Sequence, residues 1–214
     1  MTFSDKSNLS EQIAEYISEK IICMVLKPEE RIFETAIAEE LNVSRSPIRE
    51  ALRILEKKKL VELTPRRGAT VTKMSKEFIG DLCDVLTSLL QLTARQCIQN
   101  GTLKDFKKID EAAATVQSCA VKDDLSGYYK AVFDFGITCL HSSKNQLLEQ
   151  LVVELLPNVR RVLYASFTLN GEELKKDMEM LLLGNQFVQS KNIEMAESTI
   201  NSYMMKAKEF VVNM

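Results

Sequence analysis

A chain of 214 residues, 45% hydrophobic and 27% charged, can build one or two ordinary apolar cores, which excludes a disordered or fibrous protein. Its formal charge of −2 leaves the sign of any partner to local patterning. No apolar run approaches the roughly 20 residues that a bilayer crossing needs. Met1-Thr2-Phe3-Ser4-Asp5-Lys6 also lacks the charge-then-apolar layout of a signal peptide, so a cytoplasmic protein without membrane contact is expected.

In chain order, the first element with a clear pattern is Glu34-Thr35-Ala36-Ile37-Ala38-Glu39-Glu40-Leu41, a short amphipathic helix joined through Asn42-Val43 to a second helix that begins near Arg45. Ser44 is placed to cap that helix through its hydroxyl, and Pro47 falls in the first turn, where a missing N–H costs nothing. Ile48, Ala51, Leu52 and Leu55 recur at helical spacing as an apolar face, while Arg45, Arg49 and Arg53 follow at i, i+4, i+8 on another. This is helix-turn-helix geometry with the arginine helix in the recognition position. Leu60 to Thr64, then Pro65-Arg66-Arg67-Gly68, then Ala69 to Lys73 alternate and turn like a β-hairpin with a basic tip, that is, a wing. Residues 44–76 hold ten Lys or Arg against three acids, a local +7 that leaves −9 on the other 181 residues. An isolated row of arginines would read as a solvated surface helix. Its surroundings favour a DNA reader.

These residues resemble the winged-helix domain of GntR-type bacterial transcription regulators. The match runs from Leu9 to Thr72 through Leu26-x-Pro28, Glu34-x-x-Ile37-Ala38-x-x-Leu41, Val43-Ser44-Arg45-Ser46-Pro47-Ile48-Arg49-Glu50-Ala51-Leu52, Leu55-Glu56, Leu60-Val61 and Pro65-x-Arg67-Gly68-x-x-Val71. Met24, Glu29, Asn42 and Lys59 stand where the family usually has glycine, which bears on turn geometry and stability rather than on DNA reading. Arg45 and Arg49 are the expected base contacts, since a guanidinium can bond both guanine acceptors at once, with Arg53 continuing their row. Thr35, Ser44 and Ser46 are expected at phosphates. Arg67 and Gly68 would approach the minor groove, where arginine meets negative potential and glycine admits the backbone closely.

Beyond Ser75, itself placed to cap, only helical patterns remain. Helices are expected near 76–99, 103–119, 124–142, 146–166, 172–189 and 193–213, with Gly101, Gly171 and Asn192 at breaks. Thr102-x-x-Asp105 reads as a capping box, Asn145 as a cap, and Pro157 as a kink or split in the fourth helix. The fold class is thus mostly α: a winged helix-turn-helix with a small β-hairpin over residues 1–74, and an all-helical bundle of six or seven helices over 75–214. The arrangement resembles the ligand-binding FCD domain of the FadR-like branch, with Asn145-x-x-Leu148 and Lys191-Asn192-x-x-x-Ala196 as anchors, and that resemblance implies effector binding and dimerisation for residues 75–214.

Many members of that branch hold a metal through an Asp-x-x-x-His pair and two later histidines. Counting from the anchors, the matching positions are Val132, Gly136, Leu181 and Tyr203, none of them such a ligand, and Leu86 and Leu90 stand where an arginine and a glutamate are common. No metal or other cofactor is therefore expected. If these six positions line a cavity, it suits a small, mainly apolar effector with one hydrogen bond to the Tyr203 hydroxyl; the bland alternative is that the side chains fill the space. His141, the single histidine, lies two turns from Asp134, too far for chelation within a helix, and belongs to the helix end or surface. Asp134, Asp177 and Glu179 read as helix-surface carboxylates. Cys23, Cys83, Cys97, Cys119 and Cys139 are odd in number and show no C-x-x-C, which points to reduced packing thiols. Neither a nucleophile with a base nor a phosphate loop is evident, so catalysis has no machinery. The expectation is a DNA-binding regulator, repression being the family's commoner habit. It would grip a near-palindromic double-stranded operator as a homodimer under the control of that effector. The alternative is a DNA-binding regulator with no small-molecule effector, whose bundle only dimerises or recruits a protein.

Overall fold

The computed structural model describes residues 8–65, 68–169 and 174–212, so the expected wing-tip residues Arg66 and Arg67 and the break at Gly171 lie outside the described residues. Within them the protein is mostly helical, with nine helices and one three-stranded antiparallel sheet. Two compact units divide the chain. One holds residues 1–75 together with 154–165, and the other holds 76–153 and 166–214.

The first unit begins with α1 (Leu9–Ile22), whose start is capped by the Asn8 side chain accepting from the Ser10 amide at 3.1 Å. Ile13, Ala14, Ile17 and Ile21 repeat at helical spacing and are buried against α3 (Arg45–Lys57). Strand β1 (Arg31–Ile32) leads into α2 (Glu34–Leu41), and β2 (Val61–Thr64) and β3 (Gly68–Val71) form the wing. The sheet order is β1-β3-β2, with Val61 opposite Val71, Thr64 opposite Gly68 and Arg31 opposite Thr70. Alternation sets the faces: Val61, Ala69, Val71 and Ile32 go into the core with Ile48, Ala51, Leu52, Leu55 and Leu60. Each large side chain fully buried there contributes about 1.5–3 kcal/mol.

Two local readings need correction. Ser44 stands at the N-cap of α3 with extended backbone, but its hydroxyl makes no capping hydrogen bond, which leaves it directed outward and exposed. The sheet also has a third strand: β1 is two residues long, too short for an alternation signal, and it exists through its pairing with β3.

The second unit contains α4 (Lys76–Asn100), α5 (Leu103–Val121), α6 (Leu125–Ser142), the first part of α7 (Gln146–Leu169), α8 (Leu174–Gln189) and α9 (Ile193–Val212). Helix α5 packs on α6 and α8, and α4 packs on α6, α8 and α9. Thr102 and Asp105 form the capping box of α5, with Thr102 N–H donating to Asp105 Oδ2 at 2.9 Å and Asp105 N–H to Thr102 Oγ1 at 3.3 Å. Asn145 Oδ1 accepts from Leu148 N–H at 3.0 Å at the start of α7. Pro157 does not split α7, which runs unbroken through it. On the turn that follows the proline, Asn158, Arg160 and Arg161 each bond to residues of the first unit.

Candidate nucleic-acid interface and bundle interior

Helix α3 separates its two tasks by face. Ile48, Ala51, Leu52 and Leu55 are buried, and Ser44, Arg45, Ser46, Arg49 and Arg53 are exposed. Arg45 and Arg53 make no ion pair among the described residues. Arg49 Nε donates to Glu34 Oε2 at 2.8 Å, and 61% of its side chain remains exposed. Glu34 opens α2, so the first helix of the motif holds an arginine of the second in place. Thr35, one residue further, is partly buried, and Gly68 is exposed at the start of β3 with φ 86°. That positive φ requires glycine or strain.

Acidic residues of the motif anchor its elements to one another. Ser10 Oγ donates to Glu50 Oε2 at 2.7 Å, which ties α3 to α1. Leu63 N–H donates to Glu56 Oε1 at 3.2 Å, which ties the wing strand to the end of α3. Glu40 accepts from Tyr16 and Lys20, each at 2.6 Å, and these bonds hold its carboxyl below the usual range. Residues 154–165 of α7 complete this unit. Arg161 has no exposed surface, and its guanidinium donates to Thr72 O at 2.6 Å and to Thr72 Oγ1 at 3.1 Å. Burial pulls its pKa down to about 10. Asn158 donates to Lys58 O at 2.9 Å, and Arg160 pairs with Glu19 through its two terminal guanidinium nitrogens. Arg161 Nε and Asn158 Oδ1 are buried without partners among the described residues.

In the second unit the six positions picked out by counting fall on α4, α6, α8 and α9. Leu86 is buried, and Leu90, Val132, Gly136, Leu181 and Tyr203 keep partial access. Gly136 lies on the face of α6 that carries Tyr128 and Leu140, both buried, yet a Cβ built on it would meet no atom within 4 Å. Open space therefore adjoins the helix between buried turns. Burial, with Asp177 and Tyr128 nearby, pushes the Tyr203 phenol far above its ordinary value, and its hydroxyl has no hydrogen-bond partner among the described residues. Asp177 is not the surface carboxylate expected: it is largely buried and accepts from Lys206 at 3.0 Å. Nothing in the spacing of 128, 177, 203 and 206 announces that corner, because it is assembled from three helices.

Among the described residues no cluster of three or more His, Cys, Asp or Glu could hold a metal ion. His141 is exposed and pairs with Glu149 at 3.0 Å. All five cysteines are free. Burial pushes Cys97 up to about 11 and Cys139 further, so both are protonated thiols at neutral pH and poor nucleophiles. No helix among the described residues is long and apolar enough to cross a membrane.

Two family models match the chain, "Bacterial regulatory proteins, gntR family" over residues 9–71 and "FCD domain" over residues 81–200. YdhC of Bacillus subtilis (strain 168), an HTH-type transcriptional regulator, is 30% identical over 122 residues, which cover 57% of this chain and 51% of that protein, about half its length. The gluconate operon transcriptional repressor of the same organism is 25% identical over 167 residues, covering 77% of this chain and 65% of the repressor. The solved structure of E. coli McbR/YncC superposes with a TM-score of 0.83 at 20% identity over 97% of this chain and 98% of that one. Identity at that level speaks for fold.

Proposed function

This chain belongs to the GntR family of bacterial regulatory proteins, in the branch that carries an FCD domain, and on that footing we propose that it is a cytoplasmic repressor of transcription. It binds a near-palindromic operator as a homodimer and alters its hold on DNA when a small, mainly apolar effector enters the helical unit. The observation that carries the DNA half of this reading is α3, with its apolar face buried and its row Arg45, Arg49, Arg53 exposed.

A winged helix-turn-helix reads few base pairs, so useful affinity requires two copies on two half-sites whose spacing is set by the dimer. Arg45 and Arg49 take guanine edges, Thr35, Ser44 and Ser46 take phosphates, Arg53 extends the row, and Arg67 with Gly68 enters the minor groove. Arg49 can turn both Nη groups to the base while Nε stays on Glu34, or can leave the carboxylate altogether. An exposed ion pair is worth at most about 1 kcal/mol, whereas a bidentate guanine contact is worth roughly 1–3. The exchange therefore favours DNA, and only at the correct base.

The effector half draws on the bundle interior. Leu86, Leu90, Val132, Leu181 and the open space at Gly136 offer apolar walls, and the Tyr203 hydroxyl, without a partner among the described residues, offers one hydrogen bond. Repression accords with the role that the related gluconate operon protein's name gives it. The test is titration of the wild type, Arg45→Ala and Arg49→Ala against a duplex selected from a random pool. Each variant loses about 1–3 kcal/mol of binding and discriminates less between sequences. Unchanged affinity in both refutes the assignment.

A further inference from the structure

Between the recognition helix and the wing lies a feature that the family motif does not use. Phe33 occupies the N-cap of α2 without making a side-chain cap hydrogen bond, and it is 56% exposed. Serine, threonine, aspartate or asparagine would stabilise that helix start, so phenylalanine forgoes a cap and places an aromatic ring in water. The Arg31 guanidinium stands 5.2 Å over that ring. Arg31 is exposed and makes no ion pair among the described residues. Its side chain also runs beside the wing, with Nε and Nη2 at 3.8 and 3.9 Å from the place a Cβ on Gly68 would take. Glu34, next along the chain, holds Arg49 at 2.8 Å. Residues 31–34 therefore reach the space over Gly68 at one end and Arg49 at the other, and between them an exposed aromatic ring lies under a guanidinium.

We propose that the Arg31–Phe33 pair is a third DNA-contacting element of the head, in which Arg31 binds a backbone phosphate and the Phe33 ring packs on the adjoining deoxyribose. This rests on the DNA-binding reading above. The patch is continuous with that interface, and the exposed Arg31 guanidinium is complementary in charge to a phosphate. A guanidinium stacked on an aromatic ring keeps its N–H edge free, so Arg31 can meet a phosphate without giving up the ring. The contact carries no base information. It sets how deeply α3 and the wing sit on the duplex.

The test uses the full chain, the selected operator and an unrelated duplex. Arg31→Ala weakens both complexes by the same factor, about tenfold, and lowers the slope of log affinity against log salt by about one. Phe33→Ala weakens both by a smaller factor with the salt slope unchanged. Phe33→Asn restores a helix cap, so it raises thermal stability while it lowers DNA affinity. A purely structural residue would move the two together. Wild-type affinity and salt slope in Arg31→Ala and Phe33→Asn, with Arg49→Ala still losing sequence discrimination, overturns the proposal and leaves the DNA reading intact. Wild-type behaviour in Arg49→Ala as well removes both.

Discussion

Met24, Glu29, Asn42 and Lys59 have φ of 58°, 66°, 52° and 59°, and these are the four places where the GntR resemblance has glycine and this chain does not. The left-handed region costs a residue with a Cβ roughly 1–2 kcal/mol, least for asparagine. At Glu29 the turn is held regardless, because its N–H donates to Val71 O at 2.9 Å and Val71 N–H returns to Glu30 O at the same distance. Glu29→Gly is therefore expected to stabilise the head by up to about 1 kcal/mol, read as a rise of a few degrees in melting temperature. A fall would show that the side chain makes a contact worth more than the strain. Asp105 gives a residue-scale expectation for pH. Lys144, followed by the Thr102 backbone and hydroxyl, holds its carboxyl well below the usual range. Because the folded value is depressed, the stability it contributes is fully present above the ordinary carboxylate value near 4 and is lost as pH falls below it. Asp105→Asn should flatten the acid limb of bundle stability, and an unchanged limb would place the acid sensitivity elsewhere.

Helix α7 is the element that counting along the chain describes least well. Its latter part completes the head, with Arg161 buried against Thr72 and Asn158 against Lys58, and two buried polar atoms unpartnered among the described residues. A buried guanidinium with no carboxylate is costly, so its two bonds to Thr72 matter. Arg161→Ala is expected to destabilise the head by about 2 kcal/mol or more in a denaturant titration. No change would mean that residues 154–165 add nothing to it. The same helix shows what the sequence conveys and what it does not. The arginine row of α3, the hairpin, the capping box of Thr102 and Asp105 and the cap at Asn145 were legible because each is written within a few residues. The strand β1, the Arg49–Glu34 pair and the Arg161–Thr72 bonds were not, since each depends on partners 15 to 89 residues away. Of the two outcomes that Pro157 suggested, a kink or a split, the split does not occur, since α7 continues through it.

At the scale of the whole molecule, the chain joins a GntR-type head to an FCD-type bundle, and the proposed effector site lies at the open space near Gly136. Among the described residues no three His, Cys, Asp or Glu cluster to hold a metal ion, and the polar corner of Tyr128, Asp177, Tyr203 and Lys206 stands near the proposed walls. That corner was hidden from the sequence because its residues come from α6, α8 and α9. Saturating the protein with medium-chain acyl compounds or a panel of apolar metabolites is expected to raise its melting temperature for at least one compound. Tyr203→Phe should weaken that response. Silence across the panel, or a response that Tyr203→Phe leaves intact, counts against the site. The account turns most on sequence-specific binding by a pair of heads, and the direct measurement is selection of duplexes from a random pool by the full-length protein. The predicted result is enrichment of one inverted repeat whose half-sites lie about one helical turn, 10–10.5 base pairs, apart or a multiple of it. No enrichment over the starting pool, or a single half-site bound by one chain, would contradict it.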